Sequence, residues 1–143
     1  MNDIEKYIEV QNIAKKVLNN ISLFIKPDST ENSIASKAVE LLNAESITKT
    51  WYHNTPALVL LGSRSCLSVS GKDYRPENNE TVGHSNMVTI DISPMKNCIW
   101  GDCARSYFIE NGKCSLEPST HTFTEGKKMF TMLHNKRILL IKI

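Results

Sequence analysis

An alternating strand that runs into a proline and is followed by a second extended run constrains this chain more than any other feature. Val88, Ile90 and Ile92 alternate with Thr89, Asp91 and Ser93, the period-two pattern of a half-buried strand. Pro94 ends the run, Met95, Lys96 and Asn97 make a polar corner, and a second strand begins near Cys98. The stretch 87–109 therefore predicts an antiparallel hairpin. With the corner centred between Lys96 and Asn97, Ser93 faces Trp100, Ile92 faces Gly101 and Asp91 faces Asp102. Directly opposed residues have Cβ atoms about 4.5–5.5 Å apart, where like charges destabilise. Two carboxylates that close do not both ionise without a proton or a cation between them. One reading is a one-residue slip, or a hairpin edge at which both groups reach water. The other is a bridging divalent cation, or a pair about 3.5–4 Å apart of the kind used for hydrolysis. Carboxylate oxygens suit Mn, Mg, Co, Fe or Zn, and two aspartates do not choose among them.

The same segment resembles the metal-binding hairpin of the pita-bread metallopeptidases, family M24, which include methionine aminopeptidase, prolidase and aminopeptidase P. That family ends a V-x-I-D strand on an aspartate, places a second aspartate eleven residues on, and continues D-x-x-R-[TS]. Here Val88, Ile90 and Asp91 are followed by Asp102, Arg105 and Ser106 at that spacing, with serine where threonine is commoner. ISP after the first aspartate and WGD around the second are most similar to the Xaa-Pro peptidase branch. The resemblance implies that Asp91 chelates one metal and Asp102 bridges two, the metals being Mn, Co, Zn or Fe.

With 143 residues, 41% apolar and 22% charged, the chain has the size and composition of one ordinary globular domain. A net charge of +2 without a Lys/Arg stripe gives no reason to expect nucleic acid. The polar start MNDIEKYIEV is no secretory signal, and no apolar run approaches a membrane span. The protein is expected to be cytoplasmic, with its four cysteines as reduced thiols. No C-x-x-C pair suggests zinc, and Cys103 is expected to face the core of its strand.

Apolar residues Ile4, Tyr7, Ile8, Ala14, Val17, Leu18 and Ile21 recur at helical spacing between Asp3 and about Phe24. Pro27 stops that helix. A second carries Ile34, Ala35, Ala38, Leu41 and Leu42 on its core face, with Asp28 and Glu31 spaced like a capping box and Thr30 an equal candidate for the N-cap. The PDST-E entry resembles the family's pG-x-T-E segment, with Asp28 replacing glycine. Ala57 to Leu61, closed by Gly62, reads as a buried strand, and 63–80 as loop with a possible short strand from Cys66 to Val69. Asn111-Gly112 signals a turn, and Pro118-Ser119-Thr120 opens a third helix to about His134. His53 reads as a loop residue, and His121 with Glu125 as a solvated helix face.

The family's active-site histidine would fall within the loop, and Ser70 of SVSGKDYRP stands at that position. Serine supplies no proton at neutral pH as imidazole does. The family completes its site with a later histidine and two glutamates, for which this chain has no counterpart. The implied fold class is α+β, the N-terminal half of a pita-bread fold, an antiparallel sheet with helices packed on one face. An open sheet edge and an uncovered apolar face are expected where the second half would lie. Residues 1–143 are expected to be one truncated domain, family-like over 1–135, with an atypical tail, RILLIKI, over 136–143. Metal would bind weakly or be absent. The chain is expected to be incomplete and inactive alone, as a truncated gene product, a fragment that pairs with a second half-domain or a homo-oligomer, or a non-catalytic peptide-binding module. Its partner, if it is active, is a peptide substrate; no nucleic acid and no membrane is expected.

Overall fold

Two helices lie against one face of an antiparallel sheet, and a second, smaller sheet continues from its end. The structure is a computed structural model and describes residues 2–125, 127 and 128. Helix α1 (Asp3–Ile21) starts at Asn2, whose side chain accepts from the Glu5 N–H while Glu5 bonds back to the Asn2 N–H. Helix α2 (Glu31–Ala44) uses Thr30 as its N-cap, with Ser33 as the reciprocal partner. Of the two candidates it is therefore Thr30 that caps, which frees Glu31 for another task.

Strands β1 (Lys49–Thr50), β4 (Pro94–Lys96) and β5 (Ile99–Trp100) form the small sheet; β2 (Ala57–Leu61), β3 (Ser85–Ile92), β6 (Cys103–Glu110) and β7 (Lys113–Ser115) form the larger one, in that order. Val59, Leu61, Val88, Ile90, Ile92, Tyr107 and Ile109 on its inner face pack against Ala14, Val17, Leu18 and Ile21 of α1 and Ile34, Ala38 and Leu42 of α2. Cys103 faces this core, as expected, and all four cysteines are free thiols. The α1 stripe differs at its start: Ile4, Tyr7 and Ile8 stay exposed, and burial begins at Val10. The turn at Asn111-Gly112 forms as expected, both residues left-handed, between Glu110 and Lys113. No strand forms at Cys66–Val69; Gly62–Cys66 is instead a short 3-10 helix. The third helix is seen over residues 121–125; most of its remaining length and the RILLIKI tail lie outside the described residues.

The hairpin forms with a different centre. Asn97 and Cys98 take φ of +52° and +64°, the pair of left-handed residues of a two-residue type I′ loop, whose twist matches the flanking strands. Met95 and Lys96, expected in the corner, are strand residues paired with Trp100 and Ile99. The register consequently moves by two residues, and Asp91 pairs with Ala104, not with Asp102. A shift of two leaves every side chain on its own face. Asp102, one residue ahead of β6, becomes the diagonal neighbour of Asp91, within reach for side chains of this length.

The expectation of an open edge and a bare apolar face changes on the β2 side. On edge strand β2, the Tyr74 hydroxyl accepts from the Val59 N–H at 2.9 Å and donates to the Val59 carbonyl at 3.1 Å. Glu31, 1% exposed, accepts from the N–H groups of Leu61 and Glu77 and from Arg64. The outer face over β2 is covered as well, Leu58 and Leu60 packing with Tyr74, Tyr52 and Val69. What stays uncovered on β6 is small or polar: Ala104, Arg105 and Ser106.

Candidate metal centre

Asp91 sits on the outer face of the central strand β3, opposite Leu58 on one neighbour and Ala104 on the other. It is half-buried, because the outer face beside it is the covered, apolar part over β2. Asp102 is exposed. The diagonal placement keeps the two carboxyls on one face despite the changed register. Burial raises the Asp91 carboxyl to about 6, and the neighbouring Asp102 carboxyl adds to the rise. Partial burial and a like-charge neighbour both penalise the ionised form, and a cation shared by the two groups relieves both.

Other candidates do not join them. Ser70 is half-buried in its own turn, where its side-chain oxygen accepts from the Lys72 N–H and its carbonyl from the N–H groups of Asp73 and Tyr74. His53 is left-handed and exposed beside the Tyr52 ring, as a loop residue should be. His121 is exposed, and Glu125 is paired with Lys128 on the same helix surface. Among the described residues no group of three or more His, Cys, Asp or Glu side chains is placed to hold a metal ion. The donor set therefore fits a divalent cation in kind, carboxylate oxygens for a hard or borderline metal, and falls short in number.

Sequence reading missed the supports of the site. Gln11 of α1 bonds to the backbone of Asp102 through both its amide atoms. The Trp51 indole N–H donates to the Gly101 carbonyl at 2.8 Å, and its ring adjoins those of Trp100 and Tyr52. An amphipathic pattern carries no mark for such long-range contacts.

Against known proteins, the model of metallopeptidase family M24 matches residues 5–133. The chain belongs to that family. Its fold is similar to X-Pro aminopeptidase from Thermotoga maritima, with a TM-score of 0.66 and 20% identity over 84% of this chain and 30% of that one. Zinc-substituted Escherichia coli aminopeptidase P in complex with product gives a TM-score of 0.64 and 16% identity, over 76% of this chain and 23% of that one. Dipeptidase PepE from Mycobacterium ulcerans gives 0.62 and 17%, over 73% and 26%. The chain thus spans less than a third of the length of each of these structures. No curated protein matches it. The family and the antiparallel α+β architecture are as the hairpin motif implied. Among the described residues, no helix is long and apolar enough to cross a membrane.

Proposed function

We propose that this M24 member is a metal-dependent aminopeptidase-type protein of the Xaa-Pro branch, and that Asp91 and Asp102 are its metal ligands. The observation that carries the proposal is the placement of the two aspartates as diagonal neighbours on one face of the sheet, with Asp91 half-buried there. Asp91 would chelate one divalent cation, Mn, Co, Zn or Fe, and Asp102 would bridge two. Such ions, when bound, lower the pKa of a coordinated water and take up developing oxyanion charge.

This chain's own residues would hold and orient. Leu58 walls Asp91 on its β2 side, Ala104 leaves space on the other, and α1 fixes Asp102 from behind. Two carboxylates leave most coordination positions to water, so binding by these residues alone is weak. Further ligands would have to come from outside the described residues or from a partner, a second half-domain or another copy. We therefore read residues 1–143 as a part-domain inactive by itself, in the cytoplasm, acting on peptides only when completed. Ser70, at the position of the family histidine, would leave the substrate carbonyl without an imidazole partner.

The alternative is a non-catalytic peptide-binding or protein-interaction module, favoured by the exposed Ile4, Ile8, Trp51 and Trp100. Calorimetry of the folded chain with Mn²⁺ or Co²⁺ and with an Xaa-Pro peptide separates the two. Metal binding that is lost in Asp102→Asn supports the metallopeptidase reading; a folded chain that binds peptide and takes up neither metal supports the module.

A further inference from the structure

We propose that Gln11 is a positioning residue for Asp102, fixing from α1 where that carboxylate stands relative to Asp91. The proposal rests on the reading of the two aspartates as a cation site and adds a residue to it.

The backbone around Asp102 shows why a clamp is needed. Asp102 lies in the gap between β5, which ends at Trp100, and β6, which begins at Cys103. The strand register extended by one residue would set it opposite Ser93. Ser93, however, donates its N–H to the Pro56 carbonyl, and its carbonyl accepts from the Trp51 N–H. Strand β7 pairs only with the far end of β6, from Phe108 onward, so the peptide groups of Asp102 face an edge with no strand beside it. Outward-pointing edge groups otherwise go to water or to another chain.

Gln11 fills that edge. Its Nε2 donates to the Asp102 carbonyl at 2.7 Å and its Oε1 accepts from the Asp102 N–H at 3.1 Å. One side-chain amide thus reproduces the two bonds that a neighbouring strand residue would make. The preceding residue makes the approach possible. A Cβ on Gly101 would lie 3.0 Å from Val10 Cγ1, 3.3 Å from Pro94 Cγ and 3.4 Å from Gln11 Oε1, so these side chains would have to give by a few tenths of an ångström. The Gly101 carbonyl is held from the other direction by the Trp51 indole. With the peptide pinned on both sides, the Asp102 carboxylate has only its own side-chain torsions left to vary. Groups that orient a metal ligand without touching the metal typically change affinity 10–100-fold when removed.

The test compares the wild-type chain with Gln11→Ala and Gln11→Glu, reading two quantities. One is hydrogen exchange of the Asp102 amide in metal-free protein by NMR; the other is Mn²⁺ affinity by electron paramagnetic resonance. We expect Gln11→Ala to speed Asp102 exchange at least about tenfold and to weaken Mn²⁺ binding about 10–100-fold. Gln11→Glu keeps the acceptor for the N–H and loses the donor to the carbonyl, so its amide stays protected and its affinity falls in between. Should Gln11→Ala fail to fold, that graded response of Gln11→Glu decides. Mn²⁺ affinity unchanged in Gln11→Ala overturns the proposal, even with faster exchange, because the amide would then only seal an edge. If wild-type protein takes up no Mn²⁺, the cation reading falls. Asp102 exchange then shows what Gln11 does in its place: unchanged exchange in Gln11→Ala overturns the clamp as well, and faster exchange reduces it to an edge seal, which overturns the metal-positioning role.

Discussion

Two carboxylates of this chain are displaced from their ordinary behaviour in opposite directions, and the signs give separate tests. Asp91 is raised to about 6 by burial first and Asp102 second, so the folded state holds its proton more tightly than the unfolded chain. This group therefore costs no stability below about pH 4 and takes stability away as pH rises toward 6. Metal-free Asp91→Asn should then be more stable than wild type at pH 7, on the order of 1 kcal/mol, measured by urea unfolding. Asp102→Asn should let Asp91 titrate below 6, followed by carboxyl NMR shifts. Glu110 goes the other way: hydrogen bonds from Ser119 and Thr120 lower it to about 2. The stabilisation it provides is complete above its unfolded value of about 4.5 and disappears as pH falls toward 2. Ser119→Ala should raise the Glu110 pKa and move acid unfolding to higher pH, followed by circular dichroism.

At the scale of elements, the hairpin loop and the edge of β2 are where local geometry is most exposed to test. Cys98 holds φ of +64° in the type I′ loop, a position at which glycine pays no steric penalty. Cys98→Gly should stabilise the chain by about 1 kcal/mol, seen as a higher denaturation midpoint with an unchanged slope. On β2, the Tyr74 hydroxyl is the partner of both the N–H and the carbonyl of Val59, a residue with no solvent exposure. Tyr74→Phe keeps the packing and removes that partner, and should cost about 1–3 kcal/mol. A much smaller loss would mean that water reaches this edge. Glu31 closes the same strand two residues further on, at the Leu61 N–H. Its Arg64 partner and the Arg64–Glu77 pair at 2.5 Å tie α2, β2 and the following loop into one unit.

The molecule as a whole brings a covered half-sheet next to an uncovered one, with the two aspartates at the boundary. A ligand that binds only the folded chain stabilises it by about 2.7 kcal/mol at one hundred times its dissociation constant. Mn²⁺ at millimolar concentration should therefore raise the melting temperature of the wild-type chain and leave that of Asp102→Asn unmoved. Equal shifts in both would mean that the ion binds elsewhere. The exposed start of α1 belongs to this scale too: Ile4 and Ile8 continue the helical stripe beyond the sheet that buries its remainder.

The alternation of Val88, Ile90 and Ile92 with Thr89 and Asp91 was enough to make a strand and to choose its faces, because side chains repeat every two residues. That is also why the two aspartates were legible as neighbours even though the predicted pairing was off: an even shift changes partners and leaves faces alone. The stripe of α2 and that of α1 from Ala14 on, the strand Ala57–Leu61 and the turn at Asn111-Gly112 are equally local and followed from spacing. The turn at Asn97-Cys98 did not, since a cysteine in a left-handed loop position is set by the twist of the strands that flank it. Gln11 on Asp102, Tyr74 on Val59 and Glu31 under Leu61 join residues far apart in the chain. Each satisfies a backbone group that only the assembled sheet leaves without a partner, so only the tertiary structure could assign them.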